Sequence, residues 1–247
     1  MKLRWALMLW TSFSLMAKPV TISFSEDDFA PFYFVKDGEW QGVAYDYMQH
    51  LLSESGLKIQ GKRMPWKRTL KSLQSGEVDL VTVIYQTPAR KAFLYFSEQA
   101  YFMDDVVLFC THDCELGYDG SLHSIAEHGI HVVRGYSYGP KFDNAPLNTS
   151  EVDTELKLHF LARAQRVRLG ASFYSTLTWS ALYRDGVVRL LQPPVDRVGV
   201  HFAISKKGRV TPAERARIEA ANRAFLASPD YLKLLKRYQM LQGSVRR

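Results

Sequence analysis

The chain has 247 residues, 47% of them hydrophobic, and a formal net charge of +7. This length and hydrophobic content allow one large or two modest folded domains and exclude a disordered chain. The basic residues are interleaved with acidic ones or gathered near the C-terminus, so the charge pattern does not predict a nucleic acid partner.

Residues 1–17 have the pattern of a secretory signal peptide. A short basic segment precedes an apolar stretch over residues 5–16, and Ala17 is a small residue at a plausible cleavage site. Removal of the segment takes away two basic residues and lowers the net charge from +7 to +5. Leu15 stands where a small residue is preferred, so an uncleaved anchor is the alternative. We therefore expect a protein exported to the periplasm.

The chain has two cysteines, Cys110 and Cys114, with three residues between them. In an oxidising compartment this local spacing predicts a disulfide that closes a tight loop. A metal site formed by both thiols and His112 is the alternative, although no fourth ligand is apparent. We predict no cofactor.

The first half of the chain alternates between strand and helix patterns. The patterns predict strands at 20–24, 58–63, 78–85 and 102–109 and helices at 43–55 and 66–75. The run 78–85 is almost wholly apolar, which is typical of a parallel strand covered on both faces. Thr87 before Pro88 predicts a short helix that carries Arg90.

The second half continues the alternation. The patterns predict strands at 130–133, 167–173 and 198–205, helices at 122–127, 151–165 and 176–183, and two C-terminal helices that begin near Pro212 and Pro229. Such alternation predicts an α/β fold with mostly parallel sheets, whose ligands bind beyond the carboxyl ends of the strands. Two sets of units joined near 104–108 and 198–203 predict two lobes with a cleft between them.

Several short motifs follow one another in a fixed order. They are Phe29-Ala30-Pro31-Phe32, Gly42 with Asp46, Ser75-Gly76-Glu77-Val78-Asp79, Thr87-Pro88-Ala89-Arg90 and Gly135-Tyr136-Ser137-Tyr138-Gly139. With these motifs in this order, the chain resembles the extracellular solute-binding proteins of family 3, the periplasmic components of polar amino acid uptake. The resemblance implies a type II periplasmic-binding-protein fold, with a discontinuous first lobe (18–104 and 200–247) and a second lobe (105–199) that close by a hinge.

Arg90 is the first candidate for solute binding. Its planar guanidinium can hold a carboxylate through two parallel hydrogen bonds, and its position after a strand points it toward the cleft. In the proteins that the chain resembles, the matching arginine holds the carboxylate of the ligand. Ser137 matches a second carboxylate contact, from the other side of the cleft; a plain turn residue is the alternative there.

Four aromatic residues complete the first lobe's candidate site. The resemblance suggests that Phe29 stacks on the ligand, and Phe32 is a second candidate that can equally belong to the core. Tyr85 stands where the family often has a small hydroxyl residue, so a bulky phenol changes the pocket. Trp66 begins a helix and faces either the core or the mouth of the cleft.

One feature of the family is missing. Members that bind amino acids carry a carboxylate for the ligand's ammonium group near the end of the strand predicted at 167–173, but no Asp or Glu occurs between Glu155 and Asp185. A buried ammonium without a carboxylate is costly, which argues against an ordinary amino acid ligand. Glu26 or Asp27 in the first loop could substitute for the missing carboxylate. The alternatives are a carboxylate ligand without an ammonium, or a cation in an aromatic pocket formed by Tyr136, Tyr138, Phe173 and Tyr174.

These observations predict a binding protein and not an enzyme. We expect a monomer that captures a small polar, carboxylate-bearing solute and serves an ABC importer or a sensor, with no nucleic acid partner. An enzyme similar to periplasmic cyclohexadienyl dehydratases is one alternative, although the missing carboxylate removes a general acid. A degenerate binding module used in signalling is another.

Overall fold

The computed structural model describes residues 17–111 and 116–241. The strands are β1 (Lys18–Phe24), β2 (Phe34–Lys36), β3 (Glu39–Gln41), β4 (Leu57–Arg63), β5 (Leu80–Ile84), β6 (Leu94–Phe96), β7 (Phe102–Thr111), β8 (Ile130–Val133), β9 (Thr149–Val152), β10 (Leu169–Phe173), β11 (Val188–Leu190) and β12 (Asp196–Ser205). The helices are α1 (Val43–Glu54), α2 (Trp66–Ser75), α3 (Pro88–Lys91), α4 (Pro140–Asp143), α5 (Glu155–Arg163), α6 (Tyr174–Trp179), α7 (Ala181–Arg184), α8 (Pro212–Leu226) and α9 (Pro229–Arg237), with a 3₁₀ turn at Leu122–Ile125.

The strands form a sheet in the order β4-β1-β5-β12-β7-β10-β8-β9, with β6 beside β12 and β11 beside β7. Strand β1 runs parallel to β4 and β5, and β8 runs parallel to β9 and β10. Between these two parallel sets, β12 pairs antiparallel with β7 up to Val200 and with β5 from His201 onward. The two long strands β7 and β12 therefore join two α/β lobes, which confirms the predicted fold class.

Local sequence signals set many helix boundaries as predicted. At the start of α8, the Thr211 side chain accepts from the Glu214 N–H and the Glu214 side chain accepts from the Thr211 N–H, which makes a complete capping box. Helix α2 ends at Gly76, whose φ of 86° is left-handed and favours glycine. The Thr87 hydroxyl accepts from the Arg90 N–H and starts α3.

Three predicted helices in the second lobe differ from the structure. The helix predicted at 122–127 is a single 3₁₀ turn. The helix predicted at 151–165 begins only at Glu155, because residues 149–152 pair with β8 as a strand and the Thr154 hydroxyl caps the helix. The helix predicted at 176–183 is two short helices, because Ser180 is extended and its hydroxyl accepts from the Tyr183 N–H to start α7.

Some sequence predictions lie wholly or partly outside the described residues. The described residues do not include 1–16, His112 or Cys114. The signal peptide, the disulfide and the alternative metal site therefore remain predictions. Cys110 itself is buried in β7. Across the described ranges, none of the helices is both long and apolar enough to cross a bilayer.

Candidate functional site

A small cavity of about 30 Å³ lies between the lobes, beyond the carboxyl ends of β1, β5, β8 and β10. Parallel strands bring the residues that follow them to one edge of the sheet, which explains why distant segments meet here. The cavity brings together seven of the residues that the sequence predicts for the site: Phe29, Trp66, Tyr85, Arg90, Tyr136, Ser137 and Phe173. Ser25, Tyr33, Val83 and Ile84 complete its lining.

Arg90 lines this cavity and is only 7% exposed. Its Nη1 donates to the carbonyl oxygen of Tyr85 at 2.8 Å and its Nη2 to that of Gly135 at 3.0 Å, so the guanidinium contacts both lobes. The guanidinium carbon also lies 5.5 Å from the centre of the Trp66 ring. Arg90 is thus held by two backbone carbonyls and an aromatic face.

The electrostatic state of Arg90 is unusual. Burial disfavours its charge and lowers its pKa to about 10, an effect that the field of Asp143 partly offsets. No Asp or Glu of the described residues lies within ion-pair distance of the guanidinium. Since a guanidinium has five N–H donors and only two have acceptors here, Arg90 can still bind an anion.

Ser137 has a partner that the sequence did not predict. Its hydroxyl donates to Oδ2 of Asp143, and Oδ1 of the same carboxylate accepts from the Tyr138 N–H at 2.8 Å. A serine hydroxyl has one proton, so Ser137 acts only as an acceptor toward a solute while this bond is intact. An internal carboxylate therefore takes the donors that were expected to bind the ligand's carboxylate.

Aromatic side chains from the two lobes meet across the cavity. Tyr136 of the second lobe lies edge-on to Phe29 and Trp66 of the first, with ring centres 6.3 Å and 6.1 Å apart. Tyr85 and Phe173 form a second pair at 4.7 Å. Burial raises the pKa of Tyr85 and Tyr136 well above the ordinary value, so both phenols stay neutral. The lobes are in contact, and the cleft is closed.

Two predicted site residues do not line this cavity. Phe32 is completely buried in the core, stacked on Phe29 and edge-on to Phe102. Glu26 is exposed and lines a neighbouring cavity that also contains Glu155. Sequence periodicity alone does not distinguish these positions, because all of them fall in one irregular loop.

A buried carboxylate, Asp104 of β7, lies near the cavity. It accepts hydrogen bonds from the backbone N–H and the hydroxyl of Ser175, at the start of α6. Burial raises its pKa to about 7, although the bonds from Ser175 act in the opposite direction. The sequence showed no signal for this pairing, because Asp104 and Ser175 are 71 residues apart.

Comparison with known proteins agrees with this architecture. The arginine-, lysine-, histidine-binding protein ArtJ from Geobacillus stearothermophilus is 17% identical, with a TM-score of 0.77 over 93% of this chain and 97% of its own. A histidine kinase sensor domain similar to periplasmic binding proteins is 13% identical (TM-score 0.76; 90% and 96%). An ancestral amino acid-binding protein, a precursor of cyclohexadienyl dehydratase, is 19% identical (TM-score 0.71; 89% and 94%). At these identities the likeness establishes the fold.

No curated protein gives a significant match. A family model, however, covers most of the sequence. The model of the bacterial extracellular solute-binding proteins, family 3, matches residues 22–240, which include both lobes, the two connecting strands and every residue of the cavity. The chain therefore belongs to the bacterial extracellular solute-binding proteins of family 3.

Proposed function

We propose that the protein captures a small carboxylate-bearing solute in the periplasm and that its two lobes close around it. One observation supports this most directly. Arg90 is a buried guanidinium in the cavity between the lobes, with unused N–H donors and no ion-pair partner among the described residues. The carboxylate of a solute is the complementary group.

The free energy of burial favours this reading of Arg90. An unpaired charge inside a protein costs several kcal/mol, and a carboxylate that forms two hydrogen bonds offsets that cost. In the absence of solute the cost is lowest when the lobes separate and water reaches the guanidinium. The solute thus supplies the counter-charge that makes the closed arrangement favourable.

The contacts across the cavity support a closing motion. Trp66, Tyr85 and Arg90 of the first lobe touch the second lobe directly, so a solute reaches the cavity only when the lobes move apart. Strands β7 and β12 join the two parallel sets of strands, and hinge motion at these strands would change few other contacts. The closed protein then delivers its solute to an ABC permease or presents it to a sensor.

A ligand screen on the exported protein tests this proposal. A closing ligand stabilises the protein by RT ln(1 + [L]/Kd), about 2.7 kcal/mol at a hundredfold excess over Kd. In a chain of this size that raises the melting temperature by roughly 5–10 °C. We expect small carboxylates or amino acids to give such a shift, and small-angle scattering to show a smaller radius of gyration with the ligand. If no carboxylate shifts the melting temperature, the proposal is wrong.

A further inference from the structure

A second small cavity, of about 20 Å³, adjoins the first between the lobes. The two share Ser25, Phe29, Trp66 and Tyr136 in their linings, so the aromatic side chains separate two parts of one cleft. Arg90 lines the first cavity and Glu155 lines the second. The cleft therefore has a cationic and an anionic side.

Glu155 is the first residue of α5 and is only 8% exposed. Its Oε1 accepts from the Ser172 hydroxyl at 2.6 Å and lies 3.3 Å from Nε2 of His159. Its Oε2 is buried and has no hydrogen-bond partner in the described part of the chain. The neighbouring His159 Nε2 is also buried and makes no hydrogen bond in the described part of the chain. A buried carboxylate oxygen without a partner is costly, and a donor on a solute would offset that cost.

The second cavity is strongly acidic. Five carboxylates line it, and the lining contains no Lys or Arg. Asp28 pairs with Arg63 at 2.6 Å and Asp153 pairs with Arg134 at 2.7 Å. The other three, Glu26, Asp27 and Glu155, have no Lys or Arg within ion-pair distance among the described residues. The local charge is therefore negative in a chain whose net charge is +7.

We infer that Glu155 binds a cationic nitrogen of the solute, an ammonium or guanidinium group, in this second cavity. The carboxylate accepts its N–H donors, and the faces of Phe29 and Tyr136 stabilise its charge. A metal ion fits less well, because no group of three or more His, Cys, Asp or Glu residues is arranged to hold one within the described ranges. The inference rests on the proposed function, since it assumes that the cleft binds a solute.

This assignment accounts for the missing carboxylate at the end of β10. The Ser172 hydroxyl on β10 holds Glu155 in place, so helix α5 brings a carboxylate to the strand that lacks one of its own. With Arg90 in the adjoining cavity, the cleft fits a solute that has a carboxylate at one part and a cationic nitrogen at another. Glu155 would then select against carboxylates without a positive group.

Ligand probes with single functional groups test the inference. Cadaverine and agmatine have only cationic groups, hexanoate and glutarate have only carboxylates, and L-lysine and L-arginine have both. Binding of each is measured by calorimetric titration to the full exported protein and to Glu155→Gln, which keeps an acceptor for Ser172. Glu151→Gln is the matched control, because Glu151 is an exposed residue of the same lobe with the same charge.

We expect Glu155→Gln to weaken the binding of cadaverine and agmatine by about tenfold or more, because the variant loses a charged hydrogen-bond partner. Binding of hexanoate should be unchanged or stronger, and the ligand-free melting temperature should not fall. Glu151→Gln should bind all probes like wild type. Equal binding of the cationic probes to wild type and Glu155→Gln, or no binding of either to wild type, overturns the inference. If wild type binds none of the probes that have a carboxylate, L-lysine and L-arginine included, the proposed function is contradicted instead.

Discussion

The carbonyl oxygen of Gly135 in the second lobe accepts a hydrogen bond from Nη2 of Arg90 in the first, at 3.0 Å. The same oxygen accepts from Nε1 of Trp66 at 2.8 Å. Gly135 has a φ of 77°, which favours glycine, and a Cβ there would lie 3.5 Å from the Trp66 ring. One carbonyl thus joins the proposed carboxylate-binding residue to the contact between the lobes.

Replacement of Arg90 should weaken the binding of a carboxylate ligand. Arg90→Ala leaves a buried anion unpaired, at a cost of roughly 3–5 kcal/mol, or about a hundredfold to several thousandfold in Kd. Arg90→Lys keeps the charge but loses the two parallel hydrogen bonds, so its affinity should fall between those of wild type and Arg90→Ala. Calorimetric titration of the best carboxylate hit measures both. Wild-type affinity in Arg90→Ala would mean that Arg90 is a structural residue.

The hydrogen bond from Trp66 to Gly135 joins the two lobes, so it should stabilise the closed state and not the open one. Trp66→Phe keeps an aromatic ring beside Tyr136 but removes the donor, which costs about 0.5–1.5 kcal/mol. We expect ligand binding to weaken by roughly two- to tenfold and the ligand-free melting temperature to change little. Trp40→Phe is the control, because Trp40 packs on Phe24 and does not line the cavity. An equal effect of both variants on affinity would contradict the role of Trp66.

Asp143 should limit the contribution of Ser137 to binding. In the wild type the Ser137 hydroxyl donates to Asp143, so Ser137→Ala should change carboxylate affinity little. Asp143→Ala frees that proton and removes a negative charge near Arg90, so carboxylates should bind more tightly. The double variant should lose the part of this gain that comes from the Ser137 hydroxyl and keep the part that comes from the removed charge, and a double-mutant cycle of titrations separates the two. A gain that persists without the Ser137 hydroxyl would show that charge alone is responsible.

Asp104 should make stability depend on pH. Its pKa is raised to about 7 in the folded protein, mainly by burial, so the folded state holds its proton more tightly than the unfolded state. The contribution of Asp104 to the free energy of unfolding is therefore complete below about pH 4 and is lost as the pH rises to about 7. The loss is at most about 4 kcal/mol.

Asp104→Asn removes this titration. We expect denaturant unfolding to show Asp104→Asn as more stable than wild type above neutral pH, with less difference near pH 4, since the amide stays neutral throughout. Asp185→Asn is the control, because Asp185 is an exposed carboxylate of the second lobe. Parallel stability curves for wild type and Asp104→Asn would show that Asp104 does not titrate in this range.

Cys110 and Cys114 should form a disulfide in the exported protein. Export brings them to an oxidising compartment, and their spacing closes a short loop. Titration of denatured, unreduced periplasmic protein should find no thiol, and protein retained in the cytoplasm should have two. Two thiols in the periplasmic sample would exclude the disulfide.

The sequence by itself determined most of the first lobe's elements, the two C-terminal helices and the family. The capping box at Thr211 and Glu214, the left-handed Gly76 and the Thr87 cap all act within a few residues, so their patterns predict the elements directly. Alternation of these elements then predicted two α/β lobes, and strand ends predicted which loops meet at the cleft. Arg90 was predicted for this reason, since it follows β5 almost at once.

Only the tertiary structure decided which groups pair inside the cleft. Asp143 takes the hydroxyl proton of Ser137, and Glu155 reaches Ser172 on a strand 17 residues away. The sequence predicted one helix over 151–165, and the start of α5 at Glu155 became apparent only in the structure, where residues 149–152 pair with β8 and Thr154 caps the helix. Such pairings depend on side-chain directions and burial, which follow from the packing of both lobes and not from local spacing.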